Sequence, residues 1–153
     1  MSLTLQQIAD RIEIQDLLNR WALIVDTRNW DEYASCFTDD AVVDFSEIGS
    51  SGHNVEEHRA FLEMAAPHFA AMQHLLGNTT FVELGDDTAR TRTICLAPTV
   101  LHDEQVFFTG VWYHDVLRRT TEGWRIKERY TEKVYFHNQP SGFEVPAEPL
   151  ADA

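Results

Sequence analysis

Cationic nitrogen and cysteine are both scarce in this chain. Only two lysines occur in 153 residues, Lys127 and Lys133, and lysine and arginine together number 12 against 25 acidic groups. The resulting formal charge of −13 repels phosphate, which argues against nucleic acid and anionic membrane as partners. Two cysteines, Cys36 and Cys95, are too few and too far apart for a disulfide framework or a metal knuckle, and read as free thiols of a reducing compartment. No apolar run approaches the roughly 20 residues of a membrane-spanning helix. The start, Met1-Ser2-Leu3-Thr4-Leu5-Gln6-Gln7, has no basic segment, and Asp10 and Arg11 interrupt any apolar one, so no secretory signal and a cytoplasmic location are expected. A phosphate-cradling glycine loop, a nucleophile elbow and a CxxC pair are all missing, which disfavours dinucleotide binding and serine-type hydrolysis.

What remains is an ordinary globular composition, 44% hydrophobic with 9 Phe, 4 Tyr and 4 Trp. A chain of this length buries roughly 68–70% of its unfolded surface, enough for one core without staples. Leu5, Ile8, Ile12, Leu17, Leu18, Trp21, Ile24 and Val25 recur at helical spacing, and Thr4 with Gln7 forms a capping-box start. A short helix is expected from Trp30 to Phe37 with Asn29 as its N-cap. Ala41–Phe45 reads as a first strand, and a third helix as 55–66, capped by Asn54 and Glu57 and stopped by Pro67. From Met72 onward the pattern turns to strands, at 73–84, 89–101, 105–119 and 124–136, joined by short turns. Short connections make neighbours antiparallel, so the expectation is α+β: helices first, then a curled meander over them. Strands of about 12 residues must twist and curl, which leaves a cone with an apolar interior. Residues 1–138 form the expected single domain. The Pro-containing tail, 139–153, is expected to be extended, frayed or packed on a neighbouring subunit.

Two residues break their local pattern. Asp26 puts a carboxylate at the negative end of a strongly apolar helix, against the dipole, and such contradictions gather at functional sites. The plain alternative is a turn residue bonding the 27–29 backbone or pairing with Arg28. His74, between Met72 and Leu76 on one strand face, points inward; a core histidine is the plain alternative. Together they would make a base. A neutral imidazole takes a proton from carbon when one nitrogen is free and the other donates to an anchored acceptor. Arg129, if inward, would hold a leaving group or a carbonyl oxygen, and Tyr33 would serve as a phenolic donor, or pack with Trp30 and Phe37. The expected pocket lining is Trp21, Phe37, Phe45, Phe69, Met72, Phe108, Trp112 and His114. His53 and His58, five apart, do not have the spacing of a helical zinc pair, and no metal site is expected.

Ile14-Gln15-Asp16-Leu17-Leu18 running into Val25-Asp26, then Trp30-Asp31-Glu32-Tyr33, Phe37-Thr38-Asp39-Asp40-Ala41, His74-Leu75-Leu76-Gly77-Asn78 and Gly123-Trp124-Arg125-Ile126, resemble the SnoaL-like branch of the nuclear-transport-factor-two-like superfamily. Within it the chain looks most like scytalone dehydratase and gamma-hexachlorocyclohexane dehydrochlorinase. The resemblance implies a cone-shaped, cystatin-like α+β fold in which three N-terminal helices close a curved, largely antiparallel sheet with a mixed edge. It also implies an Asp–His dyad (here Asp26 and His74), a pocket arginine (here Arg129), no cofactor, and a homo-oligomer, trimer or dimer. It departs from the dehydrochlorinase where that enzyme has a lysine and this chain Trp21, and where its cysteine is replaced by Met72. The function expected is a cofactor-independent lyase, dehydratase or dehydrohalogenase, acting on a small apolar or aromatic substrate. A double-bond isomerase using the same dyad and a non-catalytic binding domain or oxygenase β-subunit-like protein are the alternatives.

Overall fold

A computed structural model describes residues 2–149 of the chain. Helix α1 spans Leu5–Asp26 and opens with the expected capping box: Gln7 N donates to Thr4 Oγ1 at 3.1 Å, and Thr4 N to Gln7 Oε1 at 3.0 Å. Its buried stripe runs through Asp10, Ile14, Leu17, Leu18 and Trp21. At about 100° per residue, Leu5, Ile8 and Ile12 fall on the opposite side of the helix, and all three are exposed. Helical spacing alone had grouped two faces into one.

After α1 the chain reverses through Arg28, whose φ is +58°. The short helix expected from Trp30 is present as a 3-10 helix, Trp30–Cys36. Asn29 makes no side-chain cap there; its carbonyl accepts from Glu32 N instead. Strand β1 (Phe37–Asp44) starts earlier than the sequence indicated, and α2 (Val55–Ala65) follows. In α2 the Asn54 side chain accepts from Glu57 N as expected, while the Glu57 carboxylate turns to His53 N. A 3-10 turn at Ala66–His68 continues the helix past Ala65.

The sheet contains β2 (Ala71–Met72), β3 (Leu75–Leu84), β4 (Thr88–Val100), β5 (Val106–Thr120) and β6 (Gly123–His137). β1 runs parallel to β6, and the other pairs are antiparallel, in the order β1-β6-β5-β4 with β2 and β3 both on the outer side of β4. This is the α+β architecture with a mixed edge. The 13 residues of β4 and 15 each of β5 and β6 cannot stay flat, and register shifts near Gly110 and Val116 bend them further.

One interruption matters most. The strand expected at 73–84 begins only at Leu75, and a separate two-residue strand, Ala71–Met72, precedes it across a gap at Gln73–His74. Gln73 N donates to Pro98 O, but Pro98 has no N–H to return, so the ladder lapses there. His74 is the next residue along, so its N–H points away from β4, to the open edge of the sheet. No helix among the described residues is long and apolar enough to cross a membrane.

Candidate active site

The curled sheet and the helices enclose a cavity of about 140 Å³. Its wall is built from alternate residues: Phe107, Thr109, Val111 and Tyr113 of β5, Ala97 and Thr99 of β4, Trp21 and Val25 of α1, and His58, Phe61 and Leu62 of α2. Gln139, Phe143 and Val145 of the tail complete it, with Phe143 packed on Phe69 and Phe107. The described part of the tail thus folds back on its own chain; residues 150–153 lie outside the described residues.

Asp26 and His74 meet at this wall. Asp26 is the last residue of α1, and its carboxylate accepts twice from His74: Oδ1 from ring Nδ1 at 2.6 Å and Oδ2 from the backbone N–H at 2.8 Å. The second bond uses the N–H that His74 presents at the open edge of the sheet. Both side chains are largely buried, 13% and 19% exposed, and Trp21 stands edge-on to the imidazole at 5.5 Å. Arg28, the alternative partner for Asp26, donates instead to Phe69 O. With Nδ1 donating to the carboxylate, Nε2 is the nitrogen available to the cavity that His74 lines.

Trp21, Phe45, Phe69 and Met72 line the cavity as anticipated; four other expected members do not. Phe108, Trp112 and His114 occupy the opposite face of β5, one residue out of step with the inward set. There Trp112 stacks under Arg92, His114 bonds Glu132 at 2.7 Å and Phe108 packs on His137. Phe37 is buried against Tyr33, outside the cavity.

Arg129 is inward and fully buried, but it is not on the cavity wall. Its Nε and Nη2 donate to Asp115 at 2.6 and 2.9 Å, and its guanidinium lies 4.2 and 4.5 Å over the rings of Trp21 and Tyr113, which meet each other edge-on. Burial alone would favour the neutral form, yet the Asp115 carboxylate outweighs it and raises the pKa. Arg129 thus sits one layer behind the wall, paired with Asp115, rather than as a direct clamp on a ligand. Tyr33 is likewise spent: its hydroxyl bonds His58 Nδ1 at 2.7 Å, and burial pushes its pKa up.

His58 is the residue that sequence reading missed. It is 1% exposed, stacks on Phe45 at 4.2 Å, and lines the cavity. Burial, aided by the Arg129 charge, lowers its pKa to about 3, so the ring is neutral. A signal existed: Val55, His58, Leu62 and Ala65 recur at three, four and three residues, which is a helix's inward face. Asking only whether His53 and His58 pair on a metal hides it. Among the described residues, no three His, Cys, Asp or Glu side chains converge as a metal site.

Comparison with known proteins agrees with this architecture. A family model described as a SnoaL-like domain matches residues 6–130. The protein Rv2910c of Mycobacterium tuberculosis, itself uncharacterized, is 36% identical over 135 residues, 87% of this chain and 91% of its own. Among solved structures, a Novosphingobium aromaticivorans protein provisionally described as an aromatic ring hydroxylase superposes with a TM-score of 0.79 at 28% identity, covering 86% of this chain and 94% of that one. A second protein of that organism, provisionally described as a scytalone dehydratase, gives 0.78 at 17%, covering 95% and 96%. The hexachlorocyclohexane dehydrochlorinase LinA-type3 of Novosphingobium barchaimii gives 0.76 at 22%, covering 92% and 96%. At such identities the last two carry the fold alone.

Proposed function

The chain belongs to the SnoaL-like domain family, and from that membership and the His74–Asp26 pair we propose that it is a cofactor-independent lyase using His74 as its base. The observation that carries this reading is the two-point grip of Asp26 on His74 at the cavity wall. The carboxylate fixes the Nδ1–H tautomer and stabilises the imidazolium that forms, so Nε2 is the basic nitrogen. Nε2 takes a proton from a carbon next to a carbonyl or an activated ring. The electron pair left on carbon forms the new double bond as the group on the neighbouring carbon departs. A hydroxyl leaves as water with the proton His74 gained; a halide leaves as the anion, and that proton passes to solvent. The aromatic lining suits a small ring-containing substrate.

The test is turnover against a panel of cyclic ketones carrying a β-hydroxyl or β-halogen, followed by product analysis. Wild-type protein is expected to eliminate from at least one member, with His74→Ala lowering kcat by about 10²–10⁴-fold. Turnover unchanged in His74→Ala contradicts the reading. Double-bond isomerisation shares the first step and differs only in where the proton returns, so a β,γ-unsaturated ketone in the panel separates the two. A second reading, a non-catalytic or oxygenase-associated domain, is favoured by the likeness to the protein described as an aromatic ring hydroxylase. In that case His74 is a packed core residue and no panel member turns over.

A further inference from the structure

His58 and Tyr33 form a second polar pair, separate from His74 and Asp26. Running round the wall, His74 meets the edge of Trp21, Trp21 stacks with Phe45 at 6.2 Å, and Phe45 stacks on His58. Two aromatic rings therefore stand between the two imidazoles. His58 Nδ1 is engaged by the Tyr33 hydroxyl, while Nε2 is buried with no partner among the described residues. We infer that His58, oriented by Tyr33, donates a hydrogen bond from Nε2 to an oxygen of the bound molecule, so that the ligand of this cavity is an oxygenated ring compound rather than a wholly halogenated hydrocarbon.

The tautomer follows from hydrogen-bond accounting. If the Tyr33 hydroxyl donates to Nδ1, the proton of the neutral ring sits on Nε2, and a cavity-lining ring is left with one buried donor that has no partner among the described residues. If Nδ1–H donated to the tyrosine oxygen instead, the buried hydroxyl proton and the Nε2 lone pair would both be orphaned. An unmade buried bond is expensive, so the first arrangement wins. The ring does not escape by protonation, because it is buried and the Arg129 guanidinium lies near it. A neutral imidazole N–H is a donor that polarises a carbonyl without surrendering its proton. An orphan donor of this kind is satisfied by a carbonyl, hydroxyl or enolate oxygen and poorly by carbon-bound chlorine. Tyr33 acts through His58 and is a positioning residue.

This inference rests on the cavity being a substrate site, and it separates that site's two histidines by role: His74 reads a C–H bond, His58 an oxygen. The probes are 1-indanone and indane, which differ in one carbonyl. In protein labelled with ¹⁵N-histidine, His58 is expected as the Nε2–H tautomer, with its Nε2 resonance shifted by 1-indanone and not by indane. Wild-type protein is expected to prefer the ketone by about 3- to 10-fold, the return of one neutral hydrogen bond. In His58→Phe the ratio of ketone to indane affinity should fall to about one. Should His58→Phe fail to fold, Tyr33→Phe keeps the imidazole and removes what fixes it, so mixed tautomers and a reduced ketone preference are expected. An Nδ1–H tautomer in the wild type, no ketone preference, or a preference that survives His58→Phe each overturns the inference. Proton exchange at carbon 2 of 1-indanone reports on His74 separately, so failure of one reading is distinguishable from failure of the other.

Discussion

At His58 a neutral imidazole is held in a place where an imidazolium would be costly, and that has a consequence for stability. The folded ring titrates at about 3 against an ordinary 6.5, chiefly because it is buried and secondarily because Arg129 is near, with Tyr33 its hydrogen-bonded neighbour. Below pH 6.5 the unfolded chain takes up a proton that the folded chain refuses. Stability is therefore full above that value and falls as pH drops toward 3, by about 1.4 kcal/mol per unit within the window. Urea unfolding between pH 5 and 6.5, above the range where the carboxylates contribute, should show this slope in wild type and lose most of it in His58→Phe. An equal slope in the two proteins would place the titration elsewhere. The same residue marks the limit of reading chemistry from sequence. Asp26 was legible because it violates a rule of its own helix, and His74 because its neighbours are apolar. His58 violates nothing: a histidine on the inward face of an amphipathic helix gains meaning only when Tyr33, 25 positions away, arrives at its ring. Arg129 was legible only as a candidate: that it points inward and pairs with Asp115 depends on strand register and on the irregularity between Ile126 and Glu128, which one sequence does not reveal.

At the scale of elements, the site depends on how three short connections are made. The Gly49-Ser50-Ser51-Gly52 loop is one. Gly52 has φ +102°, and a methyl group there would lie 2.7 Å from the His58 backbone nitrogen, inside the first turns of α2. Gly52→Ala combines an unfavourable backbone with a collision against main chain that cannot rotate away. It should cost about 2 kcal/mol by chemical denaturation and disturb the His58 ring resonance. Unchanged stability would show that α2 is free to move. The gap between β2 and β3 is the second connection. Pro98 was visible in the sequence, but its effect, a Gln73 carbonyl with no N–H to accept from at that position, needs the knowledge that β4 lies beside Gln73. The third is the tight reversal at Thr27–Asn29, after which the short helix expected at 30–37 forms as a 3-10 helix, Trp30–Cys36. Helix α1, its capping box, α2 and the long strands were all legible, since each rests on periodicity and caps within one segment. Errors came where the period is two. Placing Phe108, Trp112 and His114 inward is a slip of one residue along β5, enough to turn a whole face outward.

For the molecule as a whole, α1 must stay pinned to the sheet for Asp26 to reach His74. Its far end is pinned by Asp10, which is buried and whose Oδ1 accepts from Arg119 Nη2 at 2.6 Å, Gln6 Nε2 at 3.0 Å and Trp124 Nε1 at 3.2 Å. Burial alone would raise the Asp10 pKa, and these donors together hold it below the usual carboxylate value. Asp10→Ala should cost about 2–3 kcal/mol in thermal or urea unfolding, since Trp124 N–H is left unpaired inside the core while Arg119 can still reach water. A loss below about 0.5 kcal/mol would mean that apolar packing alone seats the helix. With the helix seated, the central claim is that His74, tied by Asp26, removes a proton from carbon. The most direct measurement is deuterium incorporation next to the carbonyl of 1-indanone in D₂O, followed by NMR, which reads proton abstraction whatever the product. Exchange above the buffer rate is expected with wild-type protein, falling by about 10²–10⁴-fold in His74→Ala and substantially in Asp26→Asn. Exchange at the buffer rate with saturating wild-type protein, or equal exchange in wild type and His74→Ala, would contradict it.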